Sequence, residues 1–264
     1  MTDGATPPVV LTVAGTDSGG AAGIAADLTT FSDLGAHGAS VVTAVTAQDT
    51  TSVRDIHRLP VAMVAAQIDA VLADLPVAAV KTGMLGSAEA VALVADRFSD
   101  QGLPVVVDPV LVATSGAVLG DDQLVRAYRR WLLPVATVVT PNLDEARVLT
   151  EVDGPPDVLA RLLAETGPAV VLTGGVGSGS CTDWVALPGE DPVPLTHHAV
   201  VTGNDHGTGC TFSAALTVHL ARRVPLISAV TRAATYTTAK LRLSQHWELG
   251  RGRGPIAHTR GEIA

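Results

Sequence analysis

The sequence predicts an α/β fold: a central, mostly parallel sheet, helices on both of its faces and a small antiparallel edge. Three observations carry this. Six short β-branched apolar runs, each bounded by Gly, Pro or Asn, have the composition of strands buried on both faces. Segments with helical patterning fall between most of them, in the β-α-β rhythm of a parallel sheet. After residue 175 that rhythm breaks into shorter, more exposed strand-like segments and then two apolar helices.

The six strands are expected at residues 8–15 (PVVLTVAG), 40–48 (SVVTAVTAQ), 77–83 (VAAVKTG), 103–109 (LPVVVDP), 136–142 (ATVVTPN) and 168–175 (PAVVLTGG). Helices are expected at 23–35, 61–75, 87–101, 121–133, 143–149 and 157–166, then at 208–222 and 226–243. GSCTDWVALPG and VPLTHHAVVTG read as the antiparallel edge. A chain of 264 residues can bury a sizeable core as one domain, so 1–264 is expected to be a single unit, with 1–7 and the glycine-rich, locally basic 250–264 as flexible termini.

Seventeen basic against 26 acidic side chains give a net charge of -9, which offers no general attraction to nucleic acid or to an anionic membrane. Apolar runs stop after about ten residues, short of a membrane span. The first ten residues lack the basic region and apolar stretch of a signal peptide, and two cysteines are too few for a disulfide framework, so the cytoplasm is the expected compartment.

Ligands of such sheets collect beyond the C-terminal strand ends, which directs attention to Asp17, Gln48, Lys81, Asp108, Asn142 and Gly174. AGTDSGGAAG follows the first strand; its glycines permit close backbone approach to a ligand, or simply close packing of helix and sheet. Asp27 in the next helix could accept hydrogen bonds from an aminopyrimidine, or serve helix electrostatics. Gln48 can donate to and accept from a heterocycle edge, or end a strand. Met84 suits an adaptable contact with a small ring, or the core. Asp108 and Glu145 at neighbouring strand ends suit Mg²⁺ beside substrate phosphates, although Asn142 and Glu145 also have the spacing of a helix capping pair. In HGTGC, residues 206–210, uncovered glycines let the N–H groups of residues 207–210 converge on a phosphoryl group. Cys210 in that field is expected to tend toward thiolate and to orient or deprotonate an attacking hydroxyl, the alternative being an inert buried thiol. Cys181 has no partner base nearby in sequence and reads as incidental.

Taken together, AGTDSGGAAGIAAD, TAVTAQDT, VKTGMLG, VVDPV, TPNLDEA and HGTGCTFSAA, in that order across roughly residues 9–243, resemble the hydroxymethylpyrimidine/phosphomethylpyrimidine kinases of thiamin biosynthesis, members of the ribokinase-like superfamily. The resemblance implies a three-layer ribokinase-like sandwich that uses ATP and Mg²⁺. It implies that Gly15, Asp27, Gln48 and Met84 surround the aminopyrimidine and that Asp108 and Glu145 lie near magnesium and the phosphates. Asn142, Thr173 and Thr208 would contact the nucleotide, Gly207 and Gly209 would form the anion hole, and Cys210 would be catalytic. The implied reaction moves the ATP γ-phosphoryl to 4-amino-5-hydroxymethyl-2-methylpyrimidine and then to its monophosphate. A homodimer is a further expectation. This chain departs from the family pattern at Thr173 and Thr114, where lysines are usual, at Asp49 for asparagine and at Ala25 for glutamine. A kinase acting on pyridoxal or pyridoxine, whose ring also bears a hydroxymethyl group, and a non-enzymatic pyrimidine-binding regulatory protein are the competing readings.

Overall fold

A computed structural model describes residues 6–111, 121–176 and 179–259. The chain enters with β1 (Val9–Ala14), returns through α1 (Gly23–Asp33) to β2 (His37–Val42), and after α2 (Val61–Asp74) reaches β5 (Val77–Thr82) on the other side of β1. Between them, β3 (Ala44–Gln48) and β4 (Val53–Arg58) form a separate antiparallel ribbon. α3 (Ala88–Phe98), β6 (Val105–Val107), α4 (Asp122–Ala127), β7 (Val138–Val139), α5 (Leu143–Thr150), α6 (Pro156–Ala164) and β8 (Ala169–Val176) follow. β9 (Ser180–Ala186) and β10 (Val193–His198) add an antiparallel edge, and α7 (Thr208–Ala221) and α8 (Leu226–Ser244) close the chain. The sheet order is β10-β9-β8-β7-β6-β5-β1-β2, parallel from β8 through β2.

Strand alternation explains the three layers. Leu11 and Val13 of β1, Val107 of β6 and Leu172 of β8 pack with Ile68, Val94, Leu124, Leu149 and Leu159 from α2 to α6. Val106, Val138 and Val171 face the other way, onto Phe212 and Leu216 of α7 and Val230 of α8. Val10 meets Phe31 of α1 beside Ala214 and Val218 of α7. Both faces are therefore apolar, which is why these strands read as continuous hydrophobic runs.

Three expectations need correction. The strand expected at 40–48 is broken: the Thr43 N–H donates to Ala14 O and Thr43 O accepts from Leu59, so the chain leaves the main sheet there and β3 turns to pair with β4. β4 reads VRDIHR and is largely exposed, so no apolar run announces it. The helix at 121–133 stops at Ala127 and continues as a π turn, Tyr128–Leu132, and a 3₁₀ turn, Leu133–Val135, where Pro134 has no N–H to continue an α-helix. Finally, residues 250–259 are not a loose tail. Ile256 and Ala257 are buried, Gly254 and His206 exchange backbone hydrogen bonds with the 203–206 loop and the tail, and Arg253 pairs with Asp205. Thr114 lies outside the described residues.

Candidate functional site

The C-terminal ends of β1, β5, β6, β7 and β8 open onto one cleft with a cavity volume of about 670 Å³, roofed by the N-terminus of α7. Gly15, Gln48, Met84, Asp108, Asn142, Glu145, Thr173, Gly207, Thr208, Gly209 and Cys210 all line it. Asp27 does not. It is fully buried, accepting from Thr12 Oγ1 at 2.6 Å and from Lys81 Nζ at 2.7 Å. Lys81 is equally buried and cannot stay charged without an anion, and Asp27 supplies it from beneath the cleft surface rather than from its lining.

At one end of the cleft, polar groups from remote segments close on one another. Asp17 accepts from the N–H groups of Gly19, Ala21 and Ala22 at 2.8–3.1 Å, and its Oδ2 lies 3.0 Å from His206 Nε2. Burial would raise Asp17, but the bonds from His206, Gly19 and Ala22 hold it below the ordinary carboxylate value. The Gln48 amide sits 3.2 Å from the same His206 nitrogen. A proton on Nε2 shared with Asp17 requires the amide oxygen of Gln48 to face that atom, turning its NH₂ elsewhere. The Gln48 backbone is itself held by Ser18 Oγ. A side chain at Gly15 would strike Met84 Cε, and one at Gly23 would strike Gly15 O, so these glycines set how closely β1, β5 and α1 approach the cleft floor.

The other end carries negative charge. Asp108 Oδ2 accepts from Ser213 Oγ at 3.0 Å and lies 3.8 Å from Lys81 Nζ. Burial raises Asp108 against the opposing pull of Lys81, Ser213 and Cys210. Glu145 forms a capping box with Asn142, its Oε2 accepting from Asn142 N at 3.0 Å while Asn142 Oδ1 accepts from Glu145 N at 2.9 Å. Burial, then the charge of Asp108, pushes Glu145 up to about 8. Two buried carboxylates that resist ionising together, opening into a cleft, have the chemistry of a hard divalent cation site, so these residues fit Mg²⁺ as well as they fit capping.

Between the two ends stands α7. Gly207 caps it in the left-handed conformation, at φ 90°, where a side chain would collide with Ala21 O. The N–H groups of Gly209 and Cys210 fall in the first turn, where helix geometry provides no acceptor. Thr208 is different: its N–H and hydroxyl both turn back to Asp205 O. The expected thiolate is not supported either. Loss of hydration at the partly buried Cys210, reinforced by Asp108 and Asp27, outweighs Lys81 and pushes the thiol up to about 12. The protonated thiol lies close enough to Asp108 to pull against the upward shift of that carboxyl.

The nucleotide-side expectations Asn142 and Thr173 meet in an isolated bridge between the ends of β7 and β8. Next to them Gly174 N donates to Asp183 Oδ1 at 3.2 Å. Asp183, Cys181 and His197 come together on this wall, so Cys181 is not isolated as its sequence neighbourhood suggested. Sequence reasoning also missed His206 as a partner of Asp17, and Lys81 as the buried cation of Asp27 and Asp108. For His206 the signal was present in HGTGC, whose histidine opens the glycine-rich turn before α7. For Lys81 only the strand burial of VAAVKTG hinted at an enclosed ammonium.

Fold and cleft define a small-molecule kinase of the ribokinase-like class. The protein matches the ADP complex of Bacillus subtilis pyridoxal kinase with a TM-score of 0.87 and 32% identity, covering 96% of this chain and 98% of that one. It matches the phosphomethylpyrimidine kinase of Clostridium difficile with a TM-score of 0.76 and 32% identity, over 88% and 98% of the two chains. The chain belongs to the phosphomethylpyrimidine kinase family, whose model matches residues 17–257. The hydroxymethylpyrimidine/phosphomethylpyrimidine kinase of Rhizobium meliloti is 46% identical over 256 residues, spanning 95% of this chain and 96% of the relative.

Proposed function

We infer that the protein is an ATP-dependent hydroxymethylpyrimidine/phosphomethylpyrimidine kinase of thiamin biosynthesis, transferring the γ-phosphoryl first to the hydroxymethyl oxygen and then to the resulting monophosphate. The observation that carries this reading over a pyridoxal kinase is the difference in identity: 46% to the pyrimidine kinase of Rhizobium meliloti against 32% to the pyridoxal kinase of Bacillus subtilis, each over nearly the whole chain.

In this reading Gly15, Gln48 and Met84 hold the ring, with His206 and Asp17 as positioning residues that fix Gln48. Asn142, Thr173 and Thr208 contact the nucleotide. Asp108 and Glu145 would hold Mg²⁺, which when bound neutralises charge on the nucleotide phosphates. The backbone of Gly207 and Gly209, with the Cys210 N–H, faces the transferring phosphoryl group; donors fixed in place cost no reorganisation as charge develops there. Cys210 orients the hydroxyl through its sulfur while staying a protonated thiol beside Asp108. That suffices for a loose phosphoryl transfer, in which little base catalysis is needed early. A homodimer is part of the same reading, and light scattering would test it. No described helix is long and apolar enough to cross a membrane, and we place the enzyme in the cytoplasm.

The test is turnover of the pyrimidine alcohol, its monophosphate and pyridoxal, each with MgATP. Both pyrimidine steps are expected, at higher kcat/KM than pyridoxal. Preference for pyridoxal would favour the related kinase, and pyrimidine binding without ATP turnover would favour a regulatory protein.

A further inference from the structure

β9 reads SCTDWVA, and its inward positions are Cys181, Asp183 and Val185. Val185 joins the core beneath α7 and α8, as an inward strand residue should. A thiol and a carboxylate at the two preceding inward positions are the anomaly. Strand geometry puts both on one face, and the antiparallel register sets His197 of β10 directly opposite Cys181. One ligand atom from each of the three lies within 4.8 Å of the others.

Cys181 and Asp183 are buried, with exposures of 9% and 4%. Asp183 uses Oδ1 for the Gly174 N–H, and its Oδ2 meets His197 Nε2 at 3.0 Å. The other ring nitrogen, Nδ1, is buried and has no partner among the described residues. The protein alone therefore does not saturate this cluster.

We propose that Cys181, Asp183 and His197 form a second cation site, selective for a thiophilic divalent ion of the Zn²⁺ or Co²⁺ type and distinct from the carboxylate pair Asp108 and Glu145. The ligand set decides the selectivity: a thiolate and an imidazole favour borderline-soft metals, whereas Mg²⁺ takes oxygen ligands. A tetrahedral ion with these donors places ligand atoms roughly 3.3–3.6 Å apart. The donors already lie within 4.8 Å of one another, and His197 Nε2 and Asp183 Oδ2 are only 3.0 Å apart, so gathering them takes small adjustments. The ion replaces the His197–Asp183 hydrogen bond, leaves Oδ1 with Gly174 and takes water as its fourth ligand. Asp183 holds His197 as imidazolium, so binding through Nε2 releases the Cys181 thiol proton and one of the two imidazolium protons to the buffer, the other staying on Nδ1. It would lock β9 to β10 beside Thr173 and Gly174, on the wall of the cleft proposed for the nucleotide.

The experiment is a Co²⁺ titration of the metal-free full chain, followed by absorption spectroscopy. The expected result is a saturable thiolate-to-cobalt charge-transfer band with the intense visible bands of tetrahedral Co²⁺, displaced by Zn²⁺ and unaffected by Mg²⁺. Cys181→Ser should abolish the charge-transfer band, and the half-exposed His197→Gln should weaken Co²⁺ binding by about tenfold or more. Cys210→Ser should retain the band. Circular dichroism confirms that each variant is folded, and His197→Gln keeps the test valid if Cys181→Ser is not. No charge-transfer band in the parent, a band that survives Cys181→Ser, or binding unchanged in His197→Gln would overturn the proposal.

Discussion

At the end of the cleft formed by β1, β3 and the loop before α7, the polar groups are already paired: Asp17 with His206, His206 with the Gln48 amide, and the Gln48 backbone with Ser18 Oγ. At the end formed by β6 and β7, Asp108 and Glu145 are both buried, burial raises both, and the charge of Asp108 further disfavours ionisation of Glu145. The first end has its geometry before any ligand arrives, so little ordering is left to oppose binding there. The second is electrostatically incomplete and gains most from a cation. A substrate ring and a metal-bound nucleotide should therefore respond differently to mutation, pH and magnesium.

The largest effect is expected at the incomplete end. Asp108→Asn should lower kcat/KM for MgATP by about 10- to 1000-fold, through lost organisation of metal and phosphate. The fold should survive, because Lys81 keeps its 2.7 Å partner Asp27 and no buried charge is orphaned. A magnesium titration of turnover that matches the parent would remove Asp108 from the metal site.

Cys210 stands where the two ends meet, and its contribution should be smaller and confined to kcat. Single-turnover measurements at saturating ATP and pyrimidine should show Cys210→Ala slower by about 10- to 100-fold. Cys210→Ser should recover part of the rate, since its hydroxyl can still donate to Asp108. If the thiol were a thiolate base, serine would rescue nothing. If both variants transfer at the parental rate, the cysteine only fills space, and catalysis rests on the helix N–H groups and the carboxylates.

The paired end is tested by Gln48→Leu, which keeps approximate size and removes the hydrogen bonds. Pyrimidine affinity should fall by about 1–2 kcal/mol, read by calorimetry, with MgATP affinity unchanged. Equal losses for both ligands would dissolve the distinction between the ends.

How far these features could be read from the chain follows the same division. Alternating buried strands such as VVLTVA and VVV announce themselves, because a sheet covered on both faces needs uninterrupted apolar runs. The glycine-rich start of α7 is legible because a left-handed cap at Gly207 tolerates little else. What the sequence hides is pairing across distance. Asp27 looks like a rim carboxylate until Lys81, 54 residues later, is seen 2.7 Å away. The field of α7 suggests a thiolate at Cys210 until burial and two neighbouring carboxylates are counted. β4 escaped notice because an exposed ribbon has no apolar face to declare it.

Glu145 provides a pH test of the incomplete end. Its folded-state value, about 8, stands above the ordinary 4.5, so the folded protein binds this proton more tightly than the unfolded chain. The resulting stabilisation is complete below the unfolded value and is lost as pH rises through about 8. Without magnesium, Glu145→Gln should melt about 2–5 °C above the parent at pH 9, with the gap closing toward pH 5. Saturating Mg²⁺ should stabilise the parent at pH 9 and leave the variant unmoved. A constant difference across pH would show that Glu145 acts through its capping hydrogen bonds alone.

The smallest effect is expected at Thr173, where the family pattern has a lysine. The residue lies in β8, bridged to Asn142. Thr173 itself lines the cleft, so a lysine there would extend into it and add a cation facing the cavity. Two effects then compete. The ammonium can reach the nucleotide phosphates and strengthen MgATP binding, yet it can also be drawn to Asp108 and Glu145 and weaken their hold on the metal. Because a partly exposed ammonium gains little from any single partner, Thr173→Lys should tighten MgATP by only about two- to fivefold. The apparent affinity for free Mg²⁺ should fall by a similar factor. Titrating ATP at several fixed magnesium concentrations separates the two. Tighter nucleotide binding with no change in magnesium dependence would place the lysine on the phosphates alone. Weaker nucleotide binding would mean that the carboxylates capture it, and that the two ends differ even more sharply in charge than the parent structure indicates.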